Sequence, residues 1–347
     1  MTKALALLSG GLDSMLAAQT LMEQGVLVTG LSFKSYFFST VKAKKVAEQL
    51  GVELIEADFS DEHLAMVKNP VHGYGKNMNP CIDCHGLMLK KAKEIMEKEK
   101  LAFAEASVGK YDLVATGEVL GQRPMSQNKE ALKIVEKIAE LEGKLVRPMS
   151  AKLLDESEPE KQGKLIRGKL LGISGRSRQR QLELVKKYGI KEYASPGGGC
   201  LLTDPAFSGK LLKLLEYWPD CVGNDIELLK SGRVLWLKDE NDKNVLLVIG
   251  RDKKDNDRLE KLAGKGDVTM ELAEENGPTS IIRITNYELR ITNEVQEINA
   301  PKELKMSELR LGEQKSAEEI IRLATMLTGY YATKSRGKKV KILINLK

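Results

Sequence analysis

The sequence predicts an α/β fold, a Rossmann-like parallel sheet with helices on both faces, followed by a smaller α+β domain. Over about the first 130 residues, short apolar runs alternate with segments of helical periodicity. From about Val222 onward, short strands joined by charged turns replace that alternation. Parallel neighbours need a crossover connection, usually a helix, so the first pattern is typical of a parallel sheet. The two patterns therefore predict two different architectures along one chain.

The strands of the parallel sheet are predicted at four apolar runs. They are Ala4–Leu8, Leu27–Phe33, Glu53–Ala57 and Leu113–Thr116. Helices are predicted between them at Val41–Leu50 and Leu87–Lys100, where the apolar residues have helical spacing. Because ligands of such sheets bind at the carboxyl ends of the strands, we expect the functional residues directly after these runs.

The second architecture is predicted from three short strands, an amphipathic helix and a basic final strand. The strands are Val234–Leu237, Val245–Ile249 and Ser280–Ile284, and the helix is Ser316–Leu327. We expect a first domain over residues 1–190, a glycine-rich loop and linker over 191–221, and a second domain over 222–347. A length of 347 residues agrees with two or three domains.

The composition is that of a soluble globular protein, with 42% hydrophobic and 30% charged residues. No run approaches the roughly 18 apolar residues of a membrane span, and the first residues lack the pattern of a signal peptide. A cytoplasmic location is therefore expected. The net charge is +6, with basic clusters at Lys161–Arg180 and Lys334–Lys339. Such clusters suit a polyanionic partner, although they are also typical of a solvated face.

The first strand runs into a glycine loop that is suited to bind phosphate. Its sequence is Leu8-Ser9-Gly10-Gly11-Leu12-Asp13-Ser14, and a helical segment follows. Glycines let successive N–H groups approach a phosphate, and the helix N-terminus adds unpaired donors. Ser9 and Ser14 could add hydroxyl donors, and Asp13 could hold Mg²⁺ or orient the loop. The loop lacks the GKS or GKT ending of a Walker loop; the alternative is a plain glycine turn.

The chain has four cysteines, which are Cys81, Cys84, Cys200 and Cys221. In a reducing compartment a Cys-x-x-Cys pair indicates metal, cluster or redox chemistry. Pro80 and a helix expected to start near Gly86 should lower the pKa of the paired thiols. Cys221 is expected to be structural.

Four interpretations of the cysteines are open. Cys81, Cys84 and Cys200 could hold a 4Fe–4S cluster with one open iron, or, with His85, a zinc ion. They could carry a persulfide without metal, or they could be ordinary buried residues. The cluster is favoured, because the glycines at 197–199 before Cys200 allow close backbone approach to an inorganic core.

Five motifs occur together in the first 220 residues or so. They are SGGLDS, NPCIDCH, Ala115–Gln127, Arg147–Leu154 and GGGCLLTD. In combination they resemble the PP-loop tRNA thiouridine synthetases, which are related to 2-thiouridylases and 4-thiouridine synthases. The resemblance implies an adenine nucleotide alpha hydrolase-like fold and an enzyme that uses ATP to adenylate a uracil oxygen of tRNA, releases pyrophosphate and replaces the oxygen with sulfur.

The resemblance also implies roles for individual residues. The pyrophosphate and Mg²⁺ binders would be Ser9, Gly10, Gly11, Asp13 and Ser14. The sulfur-handling residues would be Cys81, Cys84 and Cys200, as in the cluster-dependent branch. Cys81 departs from those thiouridylases that have aspartate at that position. Phe33, at the end of one predicted strand, and Gly117, directly after another, are expected to border ATP. Lys90, Arg123 or Arg147 could stabilise the transferred phosphate, and a homodimer would suit a long RNA.

The second domain resembles the RNA-binding domain of NFACT proteins. The segments that carry this resemblance are Ile249–Leu259, Gly266–Val268 and Asn276–Thr279. We expect Arg251, Lys253 and Lys254 to contact RNA phosphates, together with Arg176 and Arg178 of the first domain. An exposed charged hairpin is the alternative. Two competing functions are a PP-loop enzyme acting on a small deazapurine and a non-catalytic RNA-binding protein.

Overall fold

The computed structural model describes residues 1–102, 111–193, 199–284 and 293–347, and the chain divides into two compact units, 1–208 and 209–347. We call them unit 1 and unit 2. The boundary falls within the segment 191–221. Gly197 and Gly198, which the sequence analysis places beside an inorganic core, lie outside the described residues.

Unit 1 contains a sheet of five parallel strands in the order β3-β2-β1-β4-β5. The strands are β1 (Lys3–Leu7), β2 (Leu27–Lys34), β3 (Leu54–Asp58), β4 (Leu113–Ala115) and β5 (Leu145–Val146). The four predicted strands are confirmed within a residue or two. The strand β5 was not predicted, because two residues are too short to form a recognisable apolar run.

Helices cover both faces of this sheet, as the sequence predicts. They are α1 (Leu12–Met22), α2 (Val41–Leu50), α3 (Ser60–Lys68), α4 (Cys81–Ala102), α5 (Lys129–Ala139), α6 (Glu158–Lys161) and α7 (Gln179–Tyr188); α8 (Pro205–Tyr217) crosses the unit boundary. Successive residues of a strand point to opposite faces. Ala4 and Ala6 therefore pack with α1 and α2, whereas Leu5 packs with α4 and α5.

The order of the strands creates a crevice at one edge of the sheet. The strand β1 pairs with β2 on one side and with β4 on the other, so the chain reverses its direction of travel across the sheet between them. Ligands of open α/β sheets bind at such a switch point, outside the carboxyl ends of the strands. The segments Ser9–Ser14 and Thr116–Glu118 follow β1 and β4 and meet there.

Helix α4 starts at Cys81, so the expectation of a start near Gly86 is wrong. The N–H of Cys84 donates to the carbonyl of Pro80 at 2.9 Å, which places both cysteines in the first turn. Glycine has a low helix propensity, so Gly86 was expected near the start of the helix and not within it. Its role is close packing, since a methyl group at Gly86 would lie 2.6 Å from Cγ2 of Ile138 in α5.

Unit 2 is an α+β domain built on a seven-stranded mixed sheet, in the order β10-β12-β8-β9-β7-β6-β11. Its strands are β6 (Arg233–Asp239), β7 (Asn244–Ile249), β8 (Val268–Leu272), β9 (Ser280–Ile284), β10 (Glu294–Asn299), β11 (Gln314–Lys315) and β12 (Lys339–Leu346). Its helices are α9 (Gly223–Lys230), α10 (Lys253–Leu262) and α11 (Ala317–Tyr331). The predicted amphipathic helix is α11, and its buried face packs on the sheet through Ile320, Ala324 and Leu327. Among the described residues, no helix is both long and apolar enough to cross a bilayer.

Candidate nucleotide and sulfur site

The loop after β1 is closed by its own serines. The Ser14 hydroxyl donates to the carbonyl of Gly11 at 2.8 Å, and the N–H of Gly11 donates to Oγ of Ser9 at 3.3 Å. Gly10 has φ of +79°, and a methyl group there would lie 2.4 Å from Cβ of Lys42. Only glycine therefore fits at this position. The result is a compact turn directly before the N-terminus of α1, the arrangement expected of a phosphate-binding loop.

Gly117 forms the opposite wall of the crevice. A methyl group on Gly117 would lie 2.4 Å from the backbone nitrogen of Ser14, so the chain after β4 packs directly on the start of α1. Any side chain at this position would push the two loops apart. Gly117 remains a predicted neighbour of ATP, and the structure adds a packing reason for its being glycine.

The Asp13 carboxylate is held by side chains from two distant segments. Nε2 of Gln122 donates to Oδ2 at 2.7 Å, and Nε2 of Gln181 donates to Oδ1 at 3.2 Å. Nη2 of Arg178 lies 3.7 Å from Oδ2. Sequence reasoning missed both glutamines, because Gln181 lies 168 positions away from Asp13. Of the two roles considered for Asp13, this geometry favours orienting the loop.

A buried ion network lies behind the crevice, at the end of β4. Glu118 accepts a hydrogen bond from Nε of Arg147 at 2.9 Å, and its other oxygen lies 2.9 Å from Nδ1 of His85. Arg147 also donates to Glu136 and to the carbonyl of Leu132. Burial alone would raise the pKa of Glu118, but Arg147 and His85 bring it far below its usual value. Arg147 is therefore occupied inside the protein and is not available to a phosphate.

The three predicted sulfur-handling cysteines converge in unit 1. Cys81 and Cys84 lie in the first turn of α4, and Cys200 precedes a short turn that docks on the same region. The N–H of Leu201 donates to the carbonyl of Phe37 at 3.0 Å, and Nδ2 of Asn77 donates to the carbonyl of Thr203 at 2.7 Å. Charge on either Cys81 or Cys200 would raise the pKa of Cys84, which shows that the three thiols lie within electrostatic range.

The expectation of low thiol pKa values is wrong for this arrangement. Burial raises the pKa of Cys81, that of Cys84 well above its ordinary value, and that of Cys200 to about 11. The positive charge of Arg123 and a hydrogen bond with Ser126 oppose this rise at Cys81. Desolvation outweighs the favourable helix N-terminus, because removing a thiolate from water is costly.

The zinc interpretation gains no support from the described part of the chain. There, no group of three His, Cys, Asp or Glu side chains is arranged to hold a single metal ion. His85, the fourth ligand of that interpretation, directs its Nδ1 to Glu118. The same finding gives the cluster interpretation no support, and the cluster stays a prediction.

Comparison with known proteins shows which family the N-terminal part of the chain resembles. Residues 1–153 match the model of the ThiI family, described as a thiamine biosynthesis protein. The N-terminal part of the chain is therefore similar to this family. A probable tRNA sulfurtransferase of Finegoldia magna is 29% identical over 153 residues, covering 43% of this chain and 36% of that protein. The tRNA-specific 2-thiouridylase MnmA of Pseudomonas entomophila is 32% identical over 146 residues, covering 38% of this chain and 37% of the relative.

The PP-loop resemblance covers only part of each protein. The chain spans between 27% and 38% of the length of the relatives it matches. A 4-thiouridine synthetase solved in complex with RNA and bound ATP has a TM-score of 0.36 and 21% sequence identity, over 66% of this chain and 52% of the other. The NFACT resemblance of unit 2 remains a prediction.

The other predicted site residues lie in varied settings. The Phe33 ring is buried, and its centroid lies 4.9 Å from that of Phe59, so this side chain belongs to the core at the end of β2. In unit 2, Nε of Arg251 donates to Asp255 at 2.6 Å. The remaining cations predicted to contact RNA are exposed, and they are Arg176, Lys253 and Lys254.

Proposed function

We propose that this protein is an ATP-dependent tRNA sulfurtransferase, which adenylates a uracil carbonyl oxygen and replaces it with sulfur. One observation carries the proposal: a single stretch of chain contacts both the PP-loop and one of the cysteines. Gln122 holds Asp13 of the PP-loop, and Ser126, four residues later, hydrogen-bonds Cys81. This connection supports the interpretation that the nucleotide loop and the cysteines are parts of a single site. A plain glycine turn or an isolated cysteine pair would not need this connection.

In the first step the uracil oxygen attacks the α-phosphorus of ATP, and pyrophosphate leaves with the electron pair of the broken P–O bond. The N–H groups of Gly10, Gly11 and the start of α1 would bind the leaving phosphates. Asp13 keeps the loop in shape while its oxygens accept from Gln122 and Gln181. Mg²⁺ would accordingly bind mainly through the polyphosphate, as is usual for this ion.

In the second step a sulfur nucleophile attacks the activated ring carbon. With hydrosulfide, a C–S bond forms, the C–O bond breaks, and AMP leaves with that electron pair; loss of the sulfur proton gives the thione. The target base must enter the crevice unstacked. The cysteine site therefore has to deliver sulfur close to the place where AMP leaves.

We propose that the three cysteines hold a 4Fe–4S cluster as its only protein ligands. Metal-bound thiols are deprotonated, which would overcome the burial that otherwise keeps these thiols protonated. Cys81, Cys84 and Cys200 would each bind one iron, and the cluster would supply an open iron for exogenous sulfide. A persulfide on one cysteine, resolved by another, is the finer alternative for the same three residues.

We also propose that the exposed cations of unit 2, Lys253 and Lys254, help to bind tRNA, and that the protein acts in the cytoplasm. Arg251 would contribute only if its pairing with Asp255 were exchanged for a phosphate.

The test is thionucleoside analysis of tRNA from a strain that lacks the gene, complemented with wild-type or variant protein. We expect 4-thiouridine or a 2-thiouridine derivative to be lost and restored by the wild type. Cys200→Ala should fail to restore it. Cys221→Ala, a buried cysteine of unit 2, serves as the matched control and should restore it. An unchanged thionucleoside profile in the deletion strain would contradict the proposal and favour adenylation of a small molecule or simple RNA binding.

A further inference from the structure

The segment 121–127, which we call the bridging loop, is a rigid connection between the PP-loop and the cysteines. The N–H of Gly121 donates to the carbonyl of Gln127 at 2.7 Å, which closes the loop. Inside it, the carbonyl of Arg123 accepts from the N–H of Gln127 at 2.8 Å and from that of Ser126 at 3.2 Å. These bonds fix the backbone of Arg123 and leave its side chain exposed.

Arg123 is the best placed of the three cations that the sequence offers to the phosphate. Arg147 is buried and bound to Glu118 and Glu136. Lys90 lies nine residues beyond Cys81 on α4, about 14 Å along the helix axis, and its charge acts on Glu140. Arg123, in contrast, directly follows Gln122, whose Nε2 donates to the Asp13 carboxylate of the PP-loop at 2.7 Å, and its own side chain is exposed.

The proposed reaction defines what must occupy the space between the two ends of the bridging loop. The β- and γ-phosphates lie at the PP-loop and sulfur arrives at the cysteines. The α-phosphate, whose bond to the uracil oxygen is first made and then lost with AMP, has to lie between them. A guanidinium can bind two oxygens of a phosphate at once, which suits this position better than an ammonium.

We propose that Arg123 binds the α-phosphate of ATP and then the phosphate of the departing AMP, so that the bridging loop forms a nucleoside monophosphate subsite. The order in which ATP and then AMP occupy this subsite rests on the proposed function. The subsite itself is a binding property, and it is testable without tRNA, sulfur or a cluster.

The experiment measures equilibrium binding of AMP and of inorganic pyrophosphate, separately, to the full-length chain. Arg123→Gln should weaken AMP binding at least tenfold and change pyrophosphate binding less than twofold. Arg123→Lys should fall between, because it keeps the charge and loses the paired hydrogen bonds. The matched control is Arg180→Gln, an exposed arginine that pairs with Glu183 on α7 and should bind both ligands as the wild type does.

Two outcomes separate this inference from the proposed function. If Arg123→Gln binds AMP as tightly as the wild type, the subsite is wrong and the sulfurtransferase proposal is untouched. If the wild type binds AMP through Arg123 but the deletion strain keeps all its thionucleosides, the proposed function is wrong and the subsite stands. Equal weakening of AMP and pyrophosphate by Arg123→Gln would also overturn the inference, because it would make Arg123 part of the PP-loop.

Discussion

Each unit of the protein places an arginine between two carboxylates, and the two arginines, Arg147 at 3% exposure and Arg283 at 12%, serve different purposes. In unit 1, Arg147 pairs with Glu118 and Glu136, and Glu118 extends the network to His85, next to Cys84. In unit 2, Arg283 pairs with Asp225 and Asp267 and donates to the carbonyl of Leu262. The second network joins α9, α10 and the sheet. The network of Arg147 therefore reaches the neighbour of a predicted site residue, Cys84, whereas the network of Arg283 holds elements of unit 2 together.

The largest effect is expected from Arg147→Met. The Arg147 side chain is 3% exposed, so its loss leaves Glu118 charged, buried and without its guanidinium. Removing one partner of such a pair costs about 3–5 kcal/mol of unfolding free energy. Denaturant unfolding followed by far-UV circular dichroism should show the loss, and AMP binding should weaken with it. Adding Glu118→Gln should recover part of the stability; no recovery would mean that the charge left unpaired is not the cause.

The next largest effect is expected from acid, which should lower the stability of unit 1 more than that of unit 2. All three histidines of the chain lie in unit 1. His63 is fully buried among aromatic rings, and burial lowers its pKa from 6.5 to about 4. Below pH 6.5 the unfolded chain binds a proton that the folded chain rejects, so stability falls as the pH drops from about 6.5 to about 4. The loss amounts to about 3 kcal/mol.

The chain provides a reporter for this comparison, since both tryptophans, Trp218 and Trp236, lie in unit 2. Tryptophan fluorescence therefore follows unit 2, and hydrogen exchange of the β1 and β2 amides follows unit 1. Exchange protection in unit 1 should fall between pH 6.5 and pH 4 while the tryptophan signal changes less. In His63→Phe that pH dependence should be reduced; an unchanged slope would assign it to other groups.

A smaller effect is expected from Arg283→Met. The Arg283 side chain is 12% exposed, so water can partly solvate the two aspartates once the arginine is removed. We expect a loss of about 2 kcal/mol, in the range of a hydrogen bond to a charged group. Tryptophan fluorescence should report unfolding at lower denaturant concentration, and AMP binding should stay within twofold of the wild type. Weakened AMP binding would contradict the purely structural role of Arg283.

The smallest effect on stability is expected from Ser126→Ala, about 1 kcal/mol or less. The hydroxyl lowers the pKa of Cys81, so its removal should raise that pKa further and reduce the thiolate fraction. Alkylation of Cys81 by iodoacetamide in metal-free protein should slow severalfold at pH 8. Cys200, read by mass spectrometry in the same samples, is the internal reference and should react at its wild-type rate. Equal slowing of both thiols would indicate a general structural change.

The sequence could predict those features that are encoded locally. Apolar runs such as Ala4–Leu8 predicted the strands of unit 1, and the glycines after the first strand predicted the compact turn before α1. The interactions that shape the site join residues far apart in the chain, as Asp13 does with Gln181 and Glu118 with Arg147. No local pattern encodes such pairs. The thiol pKa values were mispredicted for a related reason, since burial depends on what the rest of the chain packs around Cys84.

The two attachments of the bridging loop determine how the protein tolerates a residue inserted into that loop. Its two ends are attached to different partners, Asp13 through Gln122 and Cys81 through Ser126. A single inserted residue could leave both attachments chemically intact and still alter the distance between them. The number of residues in the loop therefore sets the distance between the loop after β1 and Cys81.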